Sequence, residues 1–165
     1  MRTACAIVLI LCVGCGKAEP AFAVVVRSAV ADGTKSQPLA SESTLTAGAQ
    51  GGFHVWLDVR FTGAKAERTR VKHTVRRKSD GVLFSTGERT LDVGAAGPEG
   101  FWESSPAWPA FLCPSPLGIN ILGEPAVIKL EVSTVDGTLL GTAEANTQFS
   151  CPAAQQAFCE SICRG

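Results

Sequence analysis

Residues 53–62 read FHVWLDVRFT and give the clearest secondary-structure signal in the chain. In an extended segment, successive side chains point to opposite faces. One face would carry the apolar residues Phe53, Val55, Leu57, Val59 and Phe61. The other would carry the remaining five, His54, Trp56, Asp58, Arg60 and Thr62. This period of two predicts a half-buried β-strand and sets the expectation for the rest of the chain.

Strand-like stretches occur on both sides of this segment. They span residues 22–30, 69–77, 82–86, 89–93, 126–134 and 138–149. Turn signals containing Asp-Gly separate several of them, while residues 34–47 look polar and irregular and residues 94–100 form a glycine-rich loop. About seven short strands without an intervening helix predict an all-β, antiparallel, immunoglobulin-like β-sandwich over residues 22–150.

The composition fits one globular domain and excludes several function classes. The chain has 165 residues, 45% of them hydrophobic, and 15 basic residues against 15 acidic ones. This balance does not attract nucleic acid, so no nucleic-acid partner is predicted. We find no G-x-S-x-G elbow, no H-E-x-x-H helix and no glycine-rich phosphate loop. The sequence therefore predicts no catalytic residue, metal ion or cofactor.

The N-terminus has the pattern of a secretion signal. Arg2 precedes the apolar run of residues 4–13, which is too short for a membrane-spanning helix of roughly 20 residues. Residues 1–14 are therefore predicted to be a signal peptide. The small residue Gly14 immediately before Cys15 suits a signal peptidase. The alternative is an ordinary secretory signal peptide that is cleaved after Ala23, with Ala21 and Ala23 as the small residues before the cleavage site.

The segment ending at Cys15 resembles a bacterial lipobox, although Cys12 stands where the family usually has Leu. The resemblance implies that Cys15 is lipidated and that residues 15–21 tether the domain to a membrane. Gly16 rather than Asp follows the cysteine, which in this family favours the outer membrane. The predicted location is an outer-membrane-anchored lipoprotein facing an oxidising compartment.

Four cysteines remain in the folded part, namely Cys113, Cys151, Cys159 and Cys163. In an oxidising compartment they predict two disulfides, with three pairings open. A zinc site is the alternative, but the spacing lacks the paired C-x2-C knuckles of such sites. Residues 151–165 are predicted to form a cysteine-rich helix or tail, with Pro152 at the helix start and two cysteines on one face. This tail would be stapled to the sandwich.

Residues 51–60, GGFHVWLDVR, resemble a GGxHVWxxxR segment of uncharacterised secreted lipoproteins from myxobacteria-like bacteria, and the cysteine-rich C-terminus resembles theirs as well. The resemblance implies a β-sandwich envelope protein and brings no known activity. The polar face of this strand has two interpretations. It could contact a ligand, or it could be a second half-buried face with Trp56 under a loop and Asp58 paired with a base; the second is favoured.

The two histidines, His54 and His73, have the same kind of ambiguity. A zinc or catalytic site needs converging ligands, and the chain has only these two imidazoles. His73 alternates with valines in the strand over residues 69–77, which favours a buried, hydrogen-bonded ring over a ligand.

Two further clusters are candidate contact surfaces. Basic residues at period two would form an anion-binding face or a solvated edge strand: Arg68, Arg70, Lys72, Arg76 and Lys78. The aromatic segment 101–114, which its prolines are expected to keep irregular, offers a contact surface or a loop folded back over the sandwich. Its aromatic residues are Phe101, Trp102, Trp108 and Phe111.

The sequence leaves three hypotheses for the function of the protein. The leading one is a non-enzymatic envelope lipoprotein that binds or scaffolds a partner, either an envelope protein or a polysaccharide. The alternatives are a hydrolase acting on cell-wall or polysaccharide substrates, and a purely structural envelope component. If the protein is a lipoprotein, its lipid anchor also makes a membrane one of its predicted partners.

Overall fold

The computed structural model describes residues 23–29, 33, 35–63, 68–92, 100–103 and 106–165. The predicted signal peptide, Cys15 and the tether over residues 15–21 lie outside these residues, as do residues 94–99 of the glycine-rich loop. Within the described residues, no helix is long and apolar enough to cross a membrane.

The described residues form eleven strands and one short C-terminal helix. A single 3-10 turn, Ala153–Gln155, precedes the helix α1, Gln156–Cys163. In chain order the strands are β1 (Ala23–Ala29), β2 (Ser36–Pro38), β3 (Glu42–Thr44), β4 (Thr46–Ala47), β5 (Phe53–Thr62), β6 (Arg68–Arg77), β7 (Leu83–Asp92), β8 (Trp102–Glu103), β9 (Trp108–Cys113), β10 (Ala126–Thr134) and β11 (Leu139–Ser150).

Sheet 1 is built around β5, the strand with the strictest alternation in the sequence. On one side β5 pairs antiparallel with β1 and β4, and β1 in turn pairs with β2. On the other side it pairs antiparallel with β8 near Arg60 and with β9 over Phe53–Leu57. Among the described strands, β9 pairs with β5 alone, so the far edge of β9 is open.

Sheet 2 has the order β3-β11-β10-β6-β7. The neighbours β11, β10, β6 and β7 pair antiparallel, whereas the short strand β3 runs parallel to β11. A bulge between Val75 and Arg76 shifts the register near the start of β7. Because β7 pairs only with β6 among the described strands, it forms the second open edge of the sandwich.

The core lies between the inner faces of the two sheets. The alternating apolar residues of β5 are at most 4% exposed, as the period of two predicts. Sheet 2 contributes inner-face residues that are at most 1% exposed: Val71, Val75, Ile128, Leu130 and Val132. Fully burying an aliphatic side chain of this size stabilises the fold by about 1.5–3 kcal/mol. The all-β sandwich with a short C-terminal helix is confirmed.

Three predictions about individual segments are wrong. Residues 34–47 are not irregular, since they contain β2, β3 and β4. The two strands predicted at residues 82–86 and 89–93 are one continuous strand, β7. The prolines of the aromatic segment do not keep it irregular, because β9 includes Pro109. A proline is tolerated in an edge strand, where the missing N–H can face the unpaired side.

Both disulfides connect the C-terminal segment. Cys113 at the end of β9 bonds to Cys163 at the end of α1, and Cys151 bonds to Cys159 across the helix start. Cys159 and Cys163 share the buried face of α1 and are both 0% exposed. The predicted disulfides and the stapled C-terminal helix are therefore confirmed, and the structure selects one of the three pairings.

Candidate functional site

The open edges of β7 and β9 border a groove of about 330 Å³. Sheet 2 contributes His73, Gly87 and Arg89 to its lining, while sheet 1 contributes Trp108, Pro109 and Phe111. We call this feature the edge groove. Its volume lies within the range of small-ligand sites. It brings together His73, Trp108 and Phe111, which the sequence offered as separate candidates.

Phe111 forms the exposed rim of the edge groove. It is 55% exposed, although it lies in a strand whose neighbours Ala110 and Leu112 are buried. Its ring centroid is 5.3 Å from that of the buried His54 in a tilted arrangement. The same ring borders a second depression of about 380 Å³ on the other side, towards Pro114. Phe111 thus packs against the ring of His54 and lines two neighbouring depressions.

Trp108 and His73 form the floor of the groove. Trp108 is only 3% exposed and its Nε1 donates a hydrogen bond to His73 Nδ1 over 3.4 Å. Since Nδ1 accepts, the neutral ring carries its proton on Nε2, which is buried without a partner among the described residues. Burial lowers the pKa of His73 to about 4, so the ring is neutral near pH 7.

Gly87 makes room for the His73 ring. The two residues are cross-strand partners, and a Cβ on Gly87 would lie 2.6 Å from His73 Cε1. Real Cβ atoms do not approach a ring carbon this closely, so a side chain here would displace the imidazole. A glycine in the middle of a strand commonly marks such a close approach.

Arg89 supplies a cation to the groove wall. It pairs across the ladder with Val71, whose side chain belongs to the inner face, so Arg89 also lies on the inner face of sheet 2. It is nevertheless exposed, because β7 is the edge strand. Arg89 forms no ion pair with any described residue. Glu88 also borders the groove, but its carboxylate lies 3.2 Å from Arg70 Nε.

The polar face of β5 is half-buried, as the favoured interpretation expects. His54 is 4% exposed, both of its ring nitrogens lack a partner among the described residues, and burial lowers its pKa. The loop at Gly33 lies against Trp56, since a Cβ on Gly33 would be 3.3 Å from the indole ring. Asp58 is 1% exposed and accepts the N–H of Val59 over 2.7 Å.

The basic residues of β6 lie on a central strand rather than at an edge, since β10 and β7 flank it. Oppositely charged neighbours compensate three of them. Arg68 lies 3.1 Å from Asp92, Arg70 lies 3.2 Å from Glu88, and Lys72 lies 3.9 Å from Glu131. Arg76 donates to the Gly81 carbonyl. The edge-strand interpretation is wrong, and the anion-binding face stays a prediction.

The aromatic segment divides between the two ends of β5. Phe101 lies beneath the Arg60 guanidinium at 4.8 Å, and Trp102 stacks near Phe61 with centroids 6.2 Å apart. Arg60 also pairs with Glu103 at 2.6 Å. Trp108 and Phe111 lie at the other end, in the edge groove. Of the four candidate contact aromatics, Phe111 is exposed, Phe101 and Trp102 are partly buried, and Trp108 is buried.

The sulfur atoms of Cys151, Cys159 and Cys163 lie within 4.8 Å of one another. All three belong to disulfides, as does Cys113. A metal ion needs thiolate ligands, and disulfide sulfurs do not supply them. Disulfides of this kind are typical of an oxidising, extracytoplasmic compartment, which is where they place this domain.

No protein-family model matches the chain. No curated protein matches it either. Among solved structures, the chain is similar to a β-glucuronidase from Bacteroides uniformis, with 17% identity over 76% of this chain and a TM-score of 0.38. B. uniformis β-glucuronidase 2, covalently bound to cyclophellitol-6-carboxylate aziridine, gives the same values. The chain spans 13% of the length of either neighbour. A likeness at this level carries no argument about activity or ligand.

Sequence reasoning did not identify Gly87, Arg89 or Pro109 as parts of a site. Arg89 lies in a predicted short strand, Gly87 lies between two predicted strands, and Pro109 lies in the segment that was expected to be irregular. Their convergence depends on the bulge at Val75 and on which edges of the two sheets remain open. The interruption of a strand by Gly87 was the one local signal of a close approach.

Proposed function

We propose that this protein is a non-catalytic binding domain of the cell envelope, anchored through lipid at Cys15, that holds its ligand in the edge groove. The observation that carries the proposal is Phe111, an exposed aromatic ring fixed against His54 and placed between two hollows. Exposed aromatic residues with pre-set geometry are typical of binding surfaces, because they bury a large area at low entropic cost.

The arrangement of the groove supports binding to an extended ligand. The two depressions beside Phe111 measure about 330 and 380 Å³ and share its ring, so a chain-like molecule could occupy both. The two disulfides are in keeping with a domain that meets this ligand outside the cytoplasm. The anchor would hold the groove close to the membrane surface.

Replacing Phe111 by alanine should weaken binding to isolated envelope material about tenfold or more, because truncating a central aromatic contact costs roughly 2 kcal/mol. The measurement is co-sedimentation of the full-length mature protein with envelope polysaccharide and membrane fractions. Phe158→Ala is the matched control, since Phe158 is similarly exposed at 52% but lies on α1. Equal binding by wild type and both variants would contradict the proposed site.

The anchor is tested separately. Replacing Cys15 by serine should move the protein from the membrane pellet to the soluble extracytoplasmic fraction, because an acyl chain contributes about 0.8 kcal/mol per buried CH₂. Mass spectrometry of the N-terminal peptide should show an acylated Cys15 in wild type. An unmodified N-terminus beginning after Ala23 would instead support the ordinary secretion signal.

A further inference from the structure

We infer that the ligand of the edge groove is an acidic polysaccharide, with a carboxylate held by Arg89 and a sugar ring packed on Phe111. This inference rests on the proposed function, because it names the chemical class of ligand for that same groove. It adds a charge requirement that the proposed function does not contain.

The wall of the edge groove that sheet 2 provides has an uncompensated positive charge. Arg89 is the cation on the inner face of β7, and it has no ion pair with a described residue. The acidic neighbour Glu88 is on the outer face, opposite Lys72, and is compensated by Arg70 at 3.2 Å. The uncompensated charge of the groove is therefore positive. A guanidinium binds a carboxylate through two parallel hydrogen bonds, which gives both affinity and orientation.

The wall of the edge groove that sheet 1 provides is apolar. From sheet 1, Pro109 and the exposed ring of Phe111 line the same groove as Arg89, next to the buried Trp108. Their pairing with Trp56 and His54 puts them on the outer face of sheet 1, at its open edge. A sugar ring has one relatively apolar face made of C–H groups, and flat apolar side chains such as these can cover it. The hollow beyond Phe111, towards Pro114, provides space for a following sugar unit. A sugar unit that carries a carboxylate matches this combination of one cation and an adjoining apolar surface.

The open edges favour a polysaccharide over a peptide that adds as a further strand. Strand addition needs a continuous row of backbone donors and acceptors. Pro109 removes one donor from β9, and the charged Arg89 on the inner face of β7 is a device by which edge strands resist pairing. The groove is thus lined by side chains suited to recognition, while its two edges are poor templates for a β-strand.

The test compares polygalacturonate with its fully methyl-esterified form, in which each carboxylate is blocked, using the full-length mature protein. Wild type should bind polygalacturonate at least about tenfold more tightly than the ester, as expected for loss of a charge-assisted hydrogen bond. Arg89→Gln should lose about the same factor for polygalacturonate. The matched control is Arg164→Gln, which removes an exposed cation paired with Glu160 and lying outside the groove, and it should change binding less than about twofold.

The outcomes separate this inference from the proposed function. Equal binding to both polymers, lost in Phe111→Ala, would overturn the carboxylate requirement and leave the groove as a binding site. Unchanged binding by Arg89→Gln, or a loss equal to that of Arg164→Gln, would also overturn it. Binding of polyglutamate but not polygalacturonate would replace the polysaccharide by an acidic peptide. Absence of binding to polygalacturonate would reject the inference, whereas the envelope co-sedimentation assay judges the groove independently.

Discussion

Replacing both Cys113 and Cys163 by alanine is expected to lower the free energy of unfolding by roughly 4 kcal/mol, the largest stability effect we predict. The disulfide joins residues separated by 50 positions, so it restricts a long loop in the unfolded chain. It also ties α1 to β9, which forms one wall of the edge groove. Urea unfolding of wild type and the double variant measures the difference.

The second disulfide provides an internal control. Cys151 and Cys159 are separated by only 8 positions, so their replacement by alanine should cost roughly 2.5 kcal/mol on the same entropic basis. The two double variants remove the same atoms and differ chiefly in loop length. An equal loss of unfolding free energy in both double variants, or a larger loss on removing Cys151–Cys159, would contradict the expectation that Cys113–Cys163 stabilises the fold more.

Acid should destabilise the protein through His73. Burial holds the pKa of this ring at about 4, against an ordinary value of 6.5 in the unfolded chain. The unfolded state therefore binds more protons between these values, so stability is fully present above about pH 6.5 and is lost as the pH falls towards 4. The linkage relation gives a loss of about 2 kcal/mol by pH 5 and about 3 kcal/mol by pH 4. Burial lowers the pKa of His54 as well, so it adds to the loss.

The variant His73→Gln separates this effect from other titrations. Glutamine keeps an acceptor for Trp108 Nε1 but cannot be protonated, so the variant should be less stable near pH 7 and much less sensitive to pH between 7 and 5. Urea unfolding across this range measures the slope. An unchanged slope in His73→Gln would contradict a buried neutral His73.

Period two was sufficient to predict the central strand and the class of fold. The apolar face of β5 is buried because alternation over ten residues leaves only one way to bury five large side chains. It predicted β10 for the same reason. The period of two failed at β7, because Gly87 interrupts the alternation and predicts the end of a strand. In the structure the strand continues, and His73 from β6 fills the space beside Gly87.

The candidate site was only partly accessible from sequence. Phe111 and Trp108 were recognised as candidate contact residues, but alternation in β9 could not be read through Pro109, so the buried and exposed members of the pair were not distinguished. Arg89 became a candidate only through its register opposite Val71 and its position in an open edge strand. Register and edge identity are long-range properties that depend on how all strands of a sheet are ordered.

Site-specific photo-crosslinking in intact cells tests whether the edge groove holds the ligand, as we propose. A photoreactive residue placed at Phe111 on the rim should form a ligand adduct, whereas the same residue at Phe158 on α1 should not, although the two positions are 55% and 52% exposed. Mass spectrometry and carbohydrate staining identify the adduct. Equal adducts at both positions, or an adduct at Phe158 with none at Phe111, would show that the ligand is not held in the edge groove.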